Sequence, residues 1–381
     1  METSTCPACG SGRGGDAVDL SPLLGVTSDC KPWSQSGLIY FCSRCGLIQK
    51  QLNESWREDC RIIYQNYEMY SQGDGQEQSI FLDDGAMPRS ERLLSNVMNG
   101  YGLPDSGSLI DIGCGNGSFL KVAHRVLPKL KLTGVEWDGR HKAMIEAIPG
   151  VQAFIEFDAL NDTAIYEVAV LIHALEHMEA PREILSRIAR LLNDNGHLVI
   201  QVPDWVQNPL DLVIRDHAFH FSQNSLQYLL GQVGLRIAEL HNDWVPKEIS
   251  LHAVKNGSDT VKPDIVHNRP SHRDLTDGIG ILSGFIKQCY DSFGTKPFYV
   301  FGSSIGAAWL ASHFDEQITG WIDEDPIRQG RTFLNRPIHS PESADRSIPI
   351  AISLAPVVAK KVFSRMRNLG FSIGAVVGLQ D

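Results

Sequence analysis

Cys6, Cys9, Cys42 and Cys45 form two Cys-x-x-Cys pairs, in "CPACG" and "CSRCG". Each short loop presents two thiolates, and two such loops complete a tetrahedron around a zinc ion. Four thiolates leave no open coordination position. Such a zinc is structural, and it supplies folding energy to a module too small to bury much apolar surface. Gly10 and Gly46 follow the pairs and suit the tight turns. Cys30, Cys60, Cys114 and Cys289 lack ligand spacing and read as ordinary thiols. The long insert between the pairs, "VDLSPLLGVTSDCKPWSQSGL", reads as a surface facing something other than metal.

A second constellation is "LIDIGCGNGSFL", residues 109–120. An apolar strand ends at Asp111, and Gly113, Gly115 and Gly117 lead into a helix. Dinucleotide sites use G-x-G-x-x-G and set a pyrophosphate on the helix N-terminus. Here the spacing is G-x-G-x-G, and a carboxylate precedes it. That carboxylate repels a pyrophosphate and favours the ammonium end of an amino acid. Glu136 closes the next strand in "GVEWD", where an acid takes ribose hydroxyls. Trp137 beside it offers a face for an adenine. Asp158 and Ala159, in "FDAL", follow the third strand at the height of an adenine amino group. His173 ends the fourth strand, and Glu176 and His177 start the next helix.

A third is the loop "VPDWVQNPLDLVIRDHAFHFS", residues 202–222, too long for a simple connection and too apolar to be merely solvated. It is expected to cover a substrate, and it carries Asp216, His217 and His220. Histidine accepts protons near neutral pH and so suits a general base. A weaker glycine turn, "YVFGSSIGAAWL" at 299–310, places Gly302, Ser304 and Ala307 on the dinucleotide spacing. Serine at the middle position crowds a pyrophosphate. Asp323 stands where a ribose-binding acid would, about twenty residues on. A scaffold holding the nucleotide part of a substrate suits this turn better than dinucleotide binding.

The elements that must position these groups alternate between strand and helix, which predicts a parallel α/β sheet. Strands are expected at "SLIDIG", "LKLTGVE", "VQAFI", "EVAVLIH" and "HLVIQVP", and helices after Asn116, at Gly139, near Pro181 and at Ser222. "RIAELHN" and "ISLHAVK" read as a closing antiparallel hairpin, and "KNGSDTVKPDIVHNRPSH" as a linker. Beyond it a smaller α/β unit is expected, with a helix near 273–292 and strands in "PFYVFGSS", "ITGWIDED" and "PIAISL". The domain reading is 1–75, 76–257 and 258–381. A net charge of −11, with no basic stripe, argues against a nucleic-acid partner. No run of eighteen apolar residues suggests a membrane span, and "METSTCPACG" lacks signal-peptide character, so a cytoplasmic setting is expected.

Between about 85 and 255, with "HALEHMEAP" after the fourth strand, the sequence resembles the class I S-adenosylmethionine-dependent methyltransferases. The resemblance implies S-adenosyl-L-methionine as cofactor, held by Asp111, Gly113, Gly115, Gly117, Glu136, Trp137, Asp158, Ala159 and His173. It implies a Rossmann-like sheet between an N-terminal zinc module and a smaller C-terminal Rossmann-like domain. The whole chain resembles the sugar C-methyltransferases that act on nucleotide-linked keto-deoxysugars. Those enzymes carry Glu-His-x-x-Tyr-Phe-Ser after the fifth strand, and here Asp216-His217-Ala218-Phe219-His220-Phe221-Ser222 stands there. The family often has a tyrosine three residues before the histidine, where this chain has Ile214. The resemblance implies His217 as base, with His220 stabilising the oxyanion. Two alternatives stay open: an O- or N-methyltransferase with the same cofactor, and a non-catalytic zinc and cofactor-fold binding module.

Overall fold

The computed structural model describes residues 5–12, 17–82, 85–255 and 269–378. The expected linker lies, over 256–268, outside the described residues. The strands that position the site are β1 (Ala17–Asp19), β2 (Leu38–Phe41), β3 (Ile48–Lys50), β4 (Ser106–Ile112), β5 (Lys129–Glu136), β6 (Val151–Glu156), β7 (Tyr166–Ile172), β8 (Leu192–Pro203), β9 (Phe219–His220), β10 (Leu235–His241) and β11 (Glu248–Lys255). Further on come β12 (Phe298–Phe301), β13 (Ile318–Ile322), β14 (Thr332–Phe333), β15 (Arg336–His339), β16 (Ile350–Ile352) and β17 (Ile373–Val376). The helices are α1 (Glu54–Gln65), α2 (Arg89–Asn99), α3 (Ser118–Val126), α4 (Lys142–Glu146), α5 (Pro181–Leu191), α6 (Gln223–Gly231), α7 (His272–Phe293), α8 (Ile305–Phe314) and α9 (Pro356–Asn368).

The central sheet has the order β6-β5-β4-β7-β8-β11-β10. Its first five strands run parallel, and β11 and β10 close it antiparallel, as the hairpin reading expects. The order reverses beside β4, so the carboxyl ends of β4 and β7 open a crevice. Expected helix starts agree with the chain: Ser222 caps α6, and Pro181 occupies the first turn of α5, where its missing N–H costs nothing. At Gly139 a 3₁₀ turn precedes the short α4. The C-terminal sheet runs β14-β15-β13-β12-β16-β17 and is parallel except for β14.

The N-terminal sheet has the order β1-β2-β3-β9. Its last strand is therefore supplied by the long loop after β8, pairing Phe219 with Gln49 and His220 with Ile48. Apolar packing follows the same route. One cluster joins Cys45, Leu47 and Trp56 to Phe219, Phe221 and the central sheet. Another runs from Ile39 and Ile48 through Leu212 and Ile214 to α7 and α8. The loop expected to be a cover is thus a buried partition, with residues 209–222 all buried. No helix among the described residues is long and apolar enough to cross a membrane.

Candidate active site

A cleft of about 790 Å³ opens beside the first glycine turn. Gly113 and Gly115 have positive φ, 77° and 55°. A Cβ on Gly113 would lie 2.6 Å from the Cβ of Ala174, so the turn is closed to any side chain there. The Gly115 N–H donates to Glu136 Oε2 at 2.8 Å, and the Trp137 N–H donates to Oε1 at 2.8 Å. Two donors leave about half of a carboxylate's lone pairs for ligand hydroxyls. Trp137 lines the cleft and is 55% exposed, with its ring 4.5 Å from that of the buried Phe157, which leaves a face for a flat base. Asp111 is buried on an adjoining cavity of about 220 Å³. Burial, reinforced by the charge of Glu136, pushes its carboxyl up to about 8. A cation placed beside it restores ionisation, as an ammonium group would.

Tyr67, Met69, Gly113, Gly115, His173 and His177 line both spaces, so the two are continuous. The smaller cavity lies where the three sheets meet. Its wall includes Ser28 and Asp29 from the insert, Asp211 and His217 from the partition, and Ser304, Gly306 and Arg328 from the C-terminal unit. The insert therefore does face a cavity.

In the partition, a 3₁₀ turn over Pro209–Val213 sets Asp211 between two histidines. His217 Nδ1 lies 2.7 Å from Asp211 Oδ1, and His220 Nδ1 lies 2.7 Å from Oδ2. A carboxylate only accepts, so Nδ1 of each ring carries the proton and Nε2 keeps its lone pair. Burial disfavours charge on His217, but the Asp211 carboxylate and its hydrogen bond outweigh this, with Glu176 and Asp216 reinforcing them, and its pKa is raised. Burial pushes His220 down to about 4 against the same carboxylate. Asp211 is held well below the usual range: the two histidines outweigh its own burial. The buried Lys50 Nζ donates to Leu212 O at 2.6 Å and Ser36 O at 3.0 Å. The Trp56 indole donates to Arg215 O at 2.9 Å, and Arg215 pairs with Asp59 at 2.7 Å. The cysteine module thereby fixes the turn that carries Asp211.

Residues 88–240 match the family profile described as a methyltransferase domain. That stretch is a methyltransferase domain. Over 148 residues the chain is 30% identical to a trans-aconitate 2-methyltransferase of Enterobacter sp. (strain 638), which covers 37% of this chain and 56% of that protein. Over 162 residues it is 24% identical to the C-methyltransferase NovU of Streptomyces niveus, covering 39% and 38%. The chain thus spans about half the length, or less, of these curated relatives. Among solved structures, the plantazolicin methyltransferase BpumL in complex with SAH aligns at 17% identity, with a TM-score of 0.40, over 53% of this chain and 93% of that one.

Within the methyltransferase domain, four residues sit differently from their sequence-based roles. Gly117 lines neither cavity. Its positive φ caps α3, and a Cβ there would meet Ile148 Cδ1 at 2.4 Å, so helix packing accounts for the glycine. Asp158 and Ala159, on a 3₁₀ turn after β6, are exposed and line neither space. His220 is fully buried on β9 and is not among the lining residues, and its Nδ1 is committed to Asp211. His173 does line both spaces, in left-handed backbone at φ 51°. Its Nδ1 is 3.2 Å from Glu176 and its Nε2 is 3.3 Å from Glu248. Asp211, Lys50, Arg89 and Glu248 were missed by sequence reasoning. Asp211 stands in an apolar stretch, "PLDLVI", six residues before His217, but Asp216 is nearer to both histidines in sequence and drew the reading instead.

The four paired cysteines meet as expected, with their sulfurs all within 4.8 Å of one another. Cys6 and Cys45 are 3.7 Å apart and Cys9 and Cys42 are 3.6 Å apart. Tetrahedral ligands at the usual zinc–sulfur distance are about 3.8 Å apart, so the cluster has the size of a tetrathiolate metal centre.

Proposed function

We propose that this chain is an S-adenosylmethionine-dependent methyltransferase that C-methylates a nucleotide-linked keto-deoxysugar, with His217 as general base. The observation that carries the reading is the pairing of an acid-flanked glycine cleft with a buried Asp211–His217 dyad on the cavity next to it. Asp111, Gly113, Gly115, Glu136 and Trp137 would hold the cofactor, which supplies an electrophilic sulfonium methyl to the acceptor carbon as the carbon–sulfur bond breaks. His217 takes the C–H proton next to the ketone on Nε2, while Asp211 stabilises the resulting imidazolium. The partition excludes water from this step and fixes the ring. The C-terminal unit, through Ser304, Gly306 and Arg328, helps hold the nucleotide part of the acceptor. Cys6, Cys9, Cys42 and Cys45 hold a structural zinc. The relative named as a trans-aconitate 2-methyltransferase favours a second reading, methyl transfer to an oxygen of a small acceptor, in which His217 serves the same role.

The test is incubation with methyl-labelled cofactor and a panel of nucleotide-linked keto-sugars and small acids, followed by mass analysis of the product. A carbon-bound methyl on a keto-sugar is expected. His217→Ala should retain cofactor binding by calorimetry and lose about 100-fold or more of turnover. Near-normal turnover in that variant removes His217 from the mechanism.

A further inference from the structure

Removing a C–H proton next to a ketone puts negative charge on the ketone oxygen, and that oxygen needs a donor. His220 does not line the cavity and its Nδ1–H is committed to Asp211, and Ile214, which lines it, has no donor to offer. Glu176 lies at the start of the segment after β7, with its carboxylate and the ring nitrogens of His177 and His217 all within 4.8 Å of one another. It is 1% exposed and lines the small cavity. Neither carboxyl oxygen has a hydrogen-bond partner among the described residues; His173 Nδ1, at 3.2 Å, is outside hydrogen-bonding geometry. The backbone carbonyl of Glu176 accepts from the Ala218 N–H at 2.8 Å, which ties its position to the strand following His217. A buried polar group with no partner is costly unless a ligand completes it.

We propose that Glu176 is a catalytic residue whose carboxyl O–H donates a hydrogen bond to the acceptor's ketone oxygen as His217 removes the neighbouring proton. The inference rests on the keto-acceptor reading above. The C–H electron pair becomes the enolate double bond, the carbonyl pair moves to oxygen, and the proton resides on His217 Nε2. No oxidant or further reactant is required. Around Glu176 stand His173, His177, His217, Asp211, Glu248, Arg89 and Tyr64. Burial pushes the carboxyl up to about 8; the charge of His217 opposes this, while Asp211 and Glu248 reinforce it. A carboxyl kept neutral by its surroundings can act as a donor.

Two measurements test it. Infrared difference spectra between the substrate-free protein and Glu176→Gln at pH 6 should show one buried protonated carboxyl lost in the variant; its absence overturns the proposal. The second follows exchange of solvent deuterium into a nucleoside-diphosphate-linked 4-keto-6-deoxyhexose without methyl donor, which reads proton removal alone. Glu176→Ala should slow exchange about 100-fold while keeping cofactor affinity. Glu176→Gln, which retains an N–H donor, should lose about tenfold or less and lose the wild-type decline on the alkaline side. Wild-type exchange that survives Glu176→Ala unchanged overturns the role of Glu176 alone. No exchange and no methylation of any keto-sugar by the wild type overturns the keto-acceptor reading, and this role with it.

Discussion

The chain contains two glycine turns at the ends of parallel strands, each followed by an acid after the next strand, and they have opposite fates. At the first, Glu136 accepts from two backbone N–H groups and faces an open cleft. At the second, Asp323 accepts from Ser303 N at 3.1 Å, Ser303 Oγ at 2.6 Å, Arg328 Nη1 at 3.3 Å and Asp325 N at 2.9 Å. Three of these donors fall on Oδ2 and one on Oδ1, so the fold itself takes up most of the acceptor capacity of Asp323. The second turn is also shut against the next strand's loop: a Cβ on Gly306 would lie 1.9 Å from the Ser353 carbonyl oxygen. What separates a ligand-binding turn from a structural one is spare hydrogen-bonding capacity, which spacing alone does not report. The second turn still lends its helix start to the small cavity, so it acts as a wall and not as a nucleotide cradle of its own.

The sharpest way to break this contrast is to add one methyl group at each turn. Gly113→Ala must adopt a positive φ and push into Ala174. Its affinity for S-adenosylmethionine should fall by about 100-fold, or roughly 3 kcal/mol, by calorimetry. Gly306→Ala meets backbone instead, so it should lower the thermal midpoint and leave that affinity intact. Equal losses of affinity in both variants would mean that both turns hold the cofactor.

The central sheet was legible because strand periodicity, glycine spacing and the closing hairpin are local properties, and each agreed with the others. The cysteine pairs were legible for the same reason. Asp211 was not, because an aspartate in "PLDLVIRDHAFHFS" carries no mark of which histidine it will meet. Lys50 was hidden more deeply. It looks like a solvated strand end, yet the pairing of β3 with β9 buries it against carbonyls from two distant segments. Gly117 shows the converse: a glycine inside a ligand motif lines neither cavity and holds the positive φ that caps α3. Contacts between units separated by more than a hundred residues decide the small cavity, and sequence patterns do not encode them.

Exchanging the acids sharpens the contrast with a smaller effect. Glu136→Gln removes a charged acceptor from the ribose position and should weaken cofactor binding about tenfold, since a charge-assisted hydrogen bond is worth roughly 1.5–3 kcal/mol. Asp323→Asn should leave binding unchanged and cost about 1–3 kcal/mol of stability in denaturant, because Ser303 and Arg328 lose a buried acceptor. A cofactor defect in Asp323→Asn would contradict the assignment of that acid to the fold.

Asp211 tests whether a fully enclosed acid always serves the fold alone. Like Asp323 it is buried and engaged on both oxygens, but its donors are two titratable rings. His217 works as a base only when neutral, so activity should rise with pH through a midpoint above its ordinary 6.5. Asp211→Asn leaves burial, which disfavours the imidazolium, opposed by the weaker pull of Asp216, because Glu176 is neutral in the acid limb. The pKa of His217 then falls, and the acid limb of kcat/KM should move to lower pH. Peak turnover should drop as well, by about tenfold, because the two rings face different oxygens and the amide nitrogen that replaces one of them cannot accept an Nδ1–H, so one ring is left free to change tautomer. Asp323→Asn should leave the pH profile where it is. An unmoved acid limb in Asp211→Asn would place Asp211 with Asp323, as an acid whose work is purely structural.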